Sequence, residues 1–219
     1  MKSVEMSPRT SAAIDAKGLH YSELSARVRR AIAAGANHLE LRNVHGQRYI
    51  GTGLRARVCL DVHGTPGNDL AAFADGPTIV VHGNAQEGCA NTMNDGLVVV
   101  HGRAGDIVGY AMRGGKVFVR DDVGYRAGIH LKEHGGQRPI VVVGGTAQPF
   151  VGEYMAGGIL VVLGLTLNPG ERHRATFIGT GMHGGVIYLR GEVEPHQLGK
   201  EVGAVELGAG DHALLRTLV

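Results

Sequence analysis

Val108-Gly109-Tyr110-Ala111-Met112-Arg113-Gly114-Gly115 recurs as Val151-Gly152-Glu153-Tyr154-Met155-Ala156-Gly157-Gly158 and as Ile178-Gly179-Thr180-Gly181-Met182-His183-Gly184-Gly185. Each copy reads β-branched residue, Gly, two variable positions, Met, one variable position, Gly-Gly. Degenerate copies centre on Leu54, Phe73, Met93 and Leu131. A second series runs in phase with the first. Leu60-Asp61-Val62-His63-Gly64, Ile79-Val80-Val81-His82-Gly83, Val98-Val99-Val100-His101-Gly102, Val117-Phe118-Val119-Arg120-Asp121, Ile140-Val141-Val142-Val143-Gly144, Leu160-Val161-Val162-Leu163-Gly164 and Ile187-Tyr188-Leu189-Arg190-Gly191 follow at spacings of 19, 19, 19, 23, 20 and 27 residues. Runs of Val and Ile this short are strand-like.

The period sets the architecture. A unit of about 20 residues is too short for a helix pair or a propeller blade and suits one coil of a solenoid. The leucine-rich pattern of similar period is missing. The sequence therefore predicts an all-β fold, a right-handed parallel β-helix of about seven coils. Leu54, Phe73, Met93, Met112, Leu131, Met155 and Met182 should stack as one internal apolar column.

Composition agrees. Glycine accounts for 36 of 219 residues, about twice the usual ~7%. Hydrophobic residues make up 43%, enough for a continuous core, and charged residues only 19%, with a net charge of +2. No long Lys/Arg run marks a nucleic-acid footprint, and Arg27, Arg29 and Arg30 read as a solvated helix face. No apolar run reaches the ~18 residues of a membrane span and no signal-peptide core opens the sequence, so a cytoplasmic location is expected. Cys59 and Cys89 show no CxxC spacing and read as small apolar residues rather than metal ligands.

Three segments follow: 1–37, an N-terminal stretch with a capping helix; 38–195, the β-helix; 196–219, a C-terminal cap. In the helix, residues 22–34, Leu24, Val28, Ala31 and Ile32 share a face, Ser22 is placed to cap and Gly35 to stop it. Asp211 to Leu218 reads as a short closing helix.

Catalytic patterns dissolve in the repeat. His63, His82 and His101 share one strand-end position in successive coils, continued by Arg120, Val143, Leu163 and Arg190. With no carboxylate recurring beside them, they read as a surface ladder rather than a metal site. His130-Leu131-Lys132-Glu133-His134 matches the H-x-x-E-H of inverted zinc peptidases, which requires a helix. Here Leu131 is a repeat centre and the register predicts a turn. Gly179-Thr180-Gly181 leads into a strand, not the helix of a dinucleotide fingerprint. Neither a nucleophile elbow nor an activated cysteine is evident.

What departs from the repeat carries the functional expectation. Glu153 is an acid in an otherwise apolar motif, suited to an ion pair or, outward-facing, to a partner. The 165–177 insertion places Arg172, His173 and Arg174 on a candidate partner interface.

These residues also carry a resemblance. The Gly-x-x-Met-x-Gly-Gly units (Gly109, Met112, Gly114, Gly115; Gly152, Met155, Gly157, Gly158; Gly179, Met182, Gly184, Gly185) and Asn43-Val44-His45-Gly46-Gln47-Arg48-Tyr49-Ile50-Gly51 resemble the glycine-repeat (GXGXG) domain of glutamate synthase. In that family it is the C-terminal β-helix of the large subunit. The likeness covers about residues 19–195 and is closest to stand-alone versions from split synthases, N-methylglutamate synthase among them. The repeat-bearing scaffold chain of formylmethanofuran dehydrogenase is also similar, but it matches the two flanking segments less well.

The resemblance implies a scaffold. One partner would hydrolyse glutamine with an N-terminal Cys, and another would bind FMN and an iron–sulfur cluster. The β-helix would pack between them and support ammonia transfer. Met1-Lys2 opens this sequence, and the clustered cysteines of iron–sulfur ligation are missing. The expectation is a subunit with no catalytic residues, metal or cofactor of its own, in an oxidoreductase complex. Two other readings remain at this point: a scaffold in a formyl-transfer complex, and an independent metal protein using the histidine row or His130–His134. A bare solenoid end also suits self-association.

Overall fold

The computed structural model describes residues 10–219. Among them are nine strands: β1 (Ser11–Asp15), β2 (His38–His45), β3 (Cys59–Thr65), β4 (Asp75–Val81), β5 (Asp95–Val100), β6 (Lys116–Val119), β7 (Ile140–Val143), β8 (Ala156–Val162) and β9 (Gly184–Leu189). All nine form one parallel sheet in chain order. A second, shorter ladder runs through Ala85, Ala104, Val123 and Ala147 as parallel bridges. The result is a β-solenoid in which each strand run returns one coil later beside its predecessor.

Strand alternation sorts the sheet into an inner and an outer face. Leu60, Ile79, Val98, Val117, Val141 and Leu160 pair through successive strands and are 0–1% exposed. The register corrects one point of the repeat. Val141 and Val143, not Ile140 and Val142, point inward, so Gly144 rather than Val143 continues the histidine column. An insertion before β7 hides this one-residue shift in the sequence.

The corners explain the glycines. Three alternate residues at each level take left-handed backbone: Tyr49/Gly51/Gly53, Asp69/Ala71/Phe73, Gly88/Ala90/Thr92, Ile107/Gly109/Ala111, Arg126/Gly128/His130, Phe150/Gly152/Tyr154 and Phe177/Gly179/Gly181. Their φ values run from 51° to 74°. These seven corners bound about six full turns. At every level but the last, the residue that closes the triad sends its N–H to the next level, as in Thr92 N to Tyr110 O at 2.7 Å and Tyr154 N to Thr180 O at 2.8 Å. Reversed curvature at every second residue turns the chain while leaving these N–H groups paired between coils. Glycine takes this conformation at least cost, and thirteen other residues take it in the triads.

The residue after each triad points inward. Met93, Met112, Leu131 and Met155 are 0–1% exposed, with Leu54 at 5%. Phe73 does not join them, being 53% exposed, and Ala74 occupies the column instead. Ala74 N bonds Ala71 O as Met93 N bonds Ala90 O, which fixes the equivalence.

Helix α1 (Tyr21–Ala33) links β1 to β2 and adds Leu24 and Val28 to the core. Arg29 Nη2 donates to Thr52 O at 2.7 Å, tying α1 to the first corner. It starts from His20, not Ser22, whose hydroxyl lies 2.8 Å from His20 Nδ1. Its end is as expected: Gly35 at φ 95° directs its N–H to Ile32 O and lets Ala36 N–H reach Ala31 O. Residues 130–134 form no helix; His130 sits at a corner, and His134 bridges Gln137 in a tight reversal.

Helix α2 (Ala209–Leu218) lies against the outer face of the last strands. Ile140, Val142, Ile159, Val161 and Tyr188 face outward and are 1–9% exposed because Leu214, Leu215 and Leu218 pack on them. Tyr188 Oη donates to Asp211 Oδ1 at 2.6 Å, and Asp211 Oδ2 accepts Gly208 N–H at the start of α2.

Candidate functional site

The outer face of the sheet changes character along the solenoid. One row of register partners reads Glu40, Asp61, Val80, Val99, Phe118, Val142, Val161, Tyr188, so polarity gives way to the apolar surface that α2 covers. At the polar end the histidines stack. The His63 and His82 rings lie 4.5 Å apart and 10° from parallel, and those of His82 and His101 lie 5.6 Å apart.

Acids do stand beside this ladder, contrary to the sequence reading. Asp61 lies between two imidazoles, with Oδ2 2.7 Å from His38 Nε2 and Oδ1 2.9 Å from His82 Nε2. Glu40 lies 3.4 Å from His63 Nε2. The pattern is not legible in the sequence because His38 and Glu40 belong to β2, which precedes the recognised repeats. Partial burial pushes the Asp61 carboxyl up, but the hydrogen bonds from His82 and His38 outweigh it and hold the group below its ordinary range.

Glu153 points into the corner wall rather than to solvent. It is 9% exposed, and Oε2 accepts from Arg126 Nε at 3.0 Å. Arg126 in turn covers the Phe150 ring, 4.7 Å from its centroid, and Phe150 stacks on Phe177. Glu153 and Arg126 thus tie two adjacent levels together, and the Phe150–Phe177 stack joins the third.

In the 165–177 insertion the three candidate residues separate. His173 is 3% exposed, and its Nε2 lies 2.8 Å from Arg190 O, anchoring the insertion to the wall. Its Nδ1 has no hydrogen-bond partner among the described residues. Arg172 and Arg174 flank it outside, paired with Glu194 and Glu171. The base of the insertion is held by Asp122, whose Oδ1 accepts from Thr166 Oγ1 at 2.6 Å, Thr146 N at 2.8 Å and Thr146 Oγ1 at 3.1 Å.

The corners present a surface that the sequence does not reveal. Phe73, Tyr154 and Phe177 are 53%, 47% and 51% exposed, all with left-handed backbone. Near Tyr154, His130 stacks on its ring and Tyr110 meets His130 edge-on. At the far end, α2 and residues 202–207 border a groove of about 830 Å³ over the last coil, lined by Met182, Ile187, Leu189, Val202, Leu215 and Val219. No helix among the described residues is long and apolar enough to cross a membrane.

The motif Gly residues serve packing. A Cβ at Gly109 would stand 2.8 Å from Val141 Cγ2 and 3.1 Å from Met112 Sδ, and one at Gly184 2.6 Å from Ala156 O. Gly114, Gly115, Gly157, Gly158 and Gly185 are likewise closely backed by the neighbouring coil.

Comparison with known proteins agrees with this geometry. An uncharacterised protein of Methanocaldococcus jannaschii is 51% identical over 191 residues, covering 85% of this chain and 73% of the relative. No solved structure matches. The family described as GXGXG motif, which is the C-terminal domain of the glutamate synthase large subunit, matches residues 26–208. That span takes in every corner triad, and the chain belongs to the GXGXG motif family.

Proposed function

We propose that this chain is a non-catalytic scaffold subunit of a glutamate-synthase-like complex. It packs between a glutamine amidotransferase and a synthase that carries FMN and an iron–sulfur cluster, and it supports ammonia transfer in glutamate or N-methylglutamate synthesis. Family membership supplies the context. The observation that carries the scaffold role is the corner column with its exposed aromatics.

Phe73, Tyr154 and Phe177 combine two costs. A left-handed backbone disfavours any residue with a Cβ by about 1–2 kcal/mol, and at either end of the column Gly53 and Gly181 hold the place that Phe73 and Tyr154 take between them. Exposed rings also return little burial energy to the fold. Rigid aromatics with few rotamers are what a protein interface uses as anchors. Phe73 and Tyr154 close two triads four levels apart and Phe177 opens the next triad after Tyr154, so the solenoid fixes where each ring stands and offers more than one point at which partners can be registered.

The same packing bears on ammonia. The inner columns Leu60 through Leu160 and Met93 through Met155 fill the axis with side chains at 0–1% exposure. In this reading ammonia passes between subunits, with the solenoid forming one wall, and not along the solenoid axis.

Affinity purification of the tagged chain from its native host tests the proposal. An amidotransferase and a flavin- and iron–sulfur-containing protein should co-elute in fixed ratio. A chain that elutes alone, or with formyl-transfer proteins, would overturn it.

A further inference from the structure

The polar end of the outer face brings three kinds of metal ligand to one point. His38 on β2 and Cys59 on β3 are direct register partners, so their side chains leave the same side of adjacent strands. Asp61, two residues beyond Cys59, leaves that side as well. His38 Nε2, Cys59 Sγ and an Asp61 carboxylate oxygen all lie within 4.8 Å of one another. Among the described residues, no other group of three His, Cys, Asp or Glu residues converges in this way.

We propose that His38, Cys59 and Asp61 form an open three-ligand site for a transition-metal ion, zinc fitting the donor set best. Metal–ligand bonds of about 2.0–2.3 Å require donors roughly 3–4 Å apart in a tetrahedral arrangement. The present spread reaches that by side-chain rotation, with the His38 to Asp61 contact opening from 2.7 Å. Thiolate, imidazole and carboxylate together favour zinc or cobalt and disfavour magnesium and calcium, which take oxygen ligands. The His38 and Asp61 side chains are 15% and 23% exposed, so the site is largely withdrawn from water. A water or a donor from another molecule would complete the fourth position.

Binding exchanges protons in a simple way. The Cys59 thiol loses its proton to solvent as the metal–sulfur bond forms, and His38 binds as neutral imidazole through Nε2. His82 is a positioning residue. It holds Asp61 Oδ1 at 2.9 Å, leaving Oδ2 for the ion. The site lies on the strand ladder rather than on a loop, so neighbouring strands fix its ligand directions.

Cobalt titration of the chelator-stripped, full-length chain tests the proposal. The expected result is saturation at one equivalent, a thiolate-to-cobalt charge-transfer band, and displacement by zinc. Cys59→Ser should abolish the band and the saturable binding, and His38→Gln should remove binding at one equivalent. His82→Gln should weaken affinity about tenfold while keeping the band. All four side chains lie on the outer face, so circular dichroism of the variants should match the parent.

Alkylation gives a second readout. Cys89 is fully buried and its thiol is pushed up to about 12 by desolvation, leaving Cys59 as the reactive thiol. Zinc should slow alkylation of Cys59 in the parent and not in His38→Gln. Absence of saturable cobalt binding, or binding that Cys59→Ser leaves unchanged, would overturn the site.

Discussion

Tyr154 and His130 stack at adjacent levels of one corner, ring centroids 5.3 Å apart and planes 14° from parallel, each on left-handed backbone. The stack is worth about 0.5–1.5 kcal/mol, and the backbone strain of Tyr154 about 1–2 kcal/mol. Tyr154→Gly removes both. Its effect on folding should therefore be within about 1 kcal/mol of zero by urea titration. If the corner is a docking surface, the same variant should bind its partner complex about tenfold more weakly, the loss expected of an aromatic anchor. Unchanged partner affinity would remove Tyr154 from the interface.

Gly109 and Ala90 occupy the same place one level apart, at φ 71° and 61°. The corner thus accepts a methyl at one level, and surrounding side chains decide whether it does at another. Gly109→Ala should cost about 2–4 kcal/mol, the strain of a left-handed alanine plus overpacking against Val141 and Met112. Ala90→Gly should change stability by less than about 1 kcal/mol, because relief of strain offsets the gain in chain entropy. Equal effects of the two substitutions would refute side-chain crowding as the determinant.

The contrast also shows what the sequence can reveal. Period, sheet order and inner strand columns follow from regular spacing, because each coil repeats its neighbours' hydrophobic pattern. Registers hidden by insertions do not. Phe73 reads as inward because it is the larger residue, yet the hydrogen-bond ladder places small Ala74 there. Spacing alone aligns Val143 one place late across the 131–139 insertion. Ser22 has capping chemistry, but α1 begins one residue earlier. For Glu153 and His173, an odd residue in an apolar context signals a role, and structure alone gives its direction, inward in both cases. The His38–Cys59–Asp61 cluster leaves no trace in spacing, since parallel pairing of β2 with β3 creates it.

Asp122 makes the 165–177 insertion acid-sensitive. Partial burial pushes its carboxyl up, while hydrogen bonds from Thr166 and from Thr146 N–H and hydroxyl draw it down further, for a net lowering from the ordinary 3.8. A group whose folded value lies below its unfolded value stabilises the fold above the unfolded value and loses that contribution as pH falls through the folded one. Asp122→Asn should cost about 2 kcal/mol at neutral pH, the scale of hydrogen bonds to a charged group. The gap between parent and variant should close as pH drops below about 4. A gap that persists unchanged at about pH 2–3, measured by thermal melts, would mean the carboxylate charge contributes nothing.

Helix α2 protects the apolar end of the outer face, and its hold is testable at Leu218 and Tyr188. Leu218 is 7% exposed and packs in one cluster with Ile140, Val142, Ile159 and Val161, with Leu214 and Leu215 beside it. Leu218→Asp places a carboxylate in that contact and should release α2 without disturbing the inner columns, which belong to a separate cluster. Tyr188→Phe is milder, removing only the donor to Asp211 at a cost of about 1 kcal/mol. In hydrogen exchange, Leu218→Asp should therefore deprotect 209–218 while the amides of β3–β6 keep their protection. The uncovered strands then expose an unpartnered apolar patch, and concentration-dependent association should follow in sedimentation. A variant that stays monomeric with α2 amides still protected would show that the helix is held by something other than this apolar face.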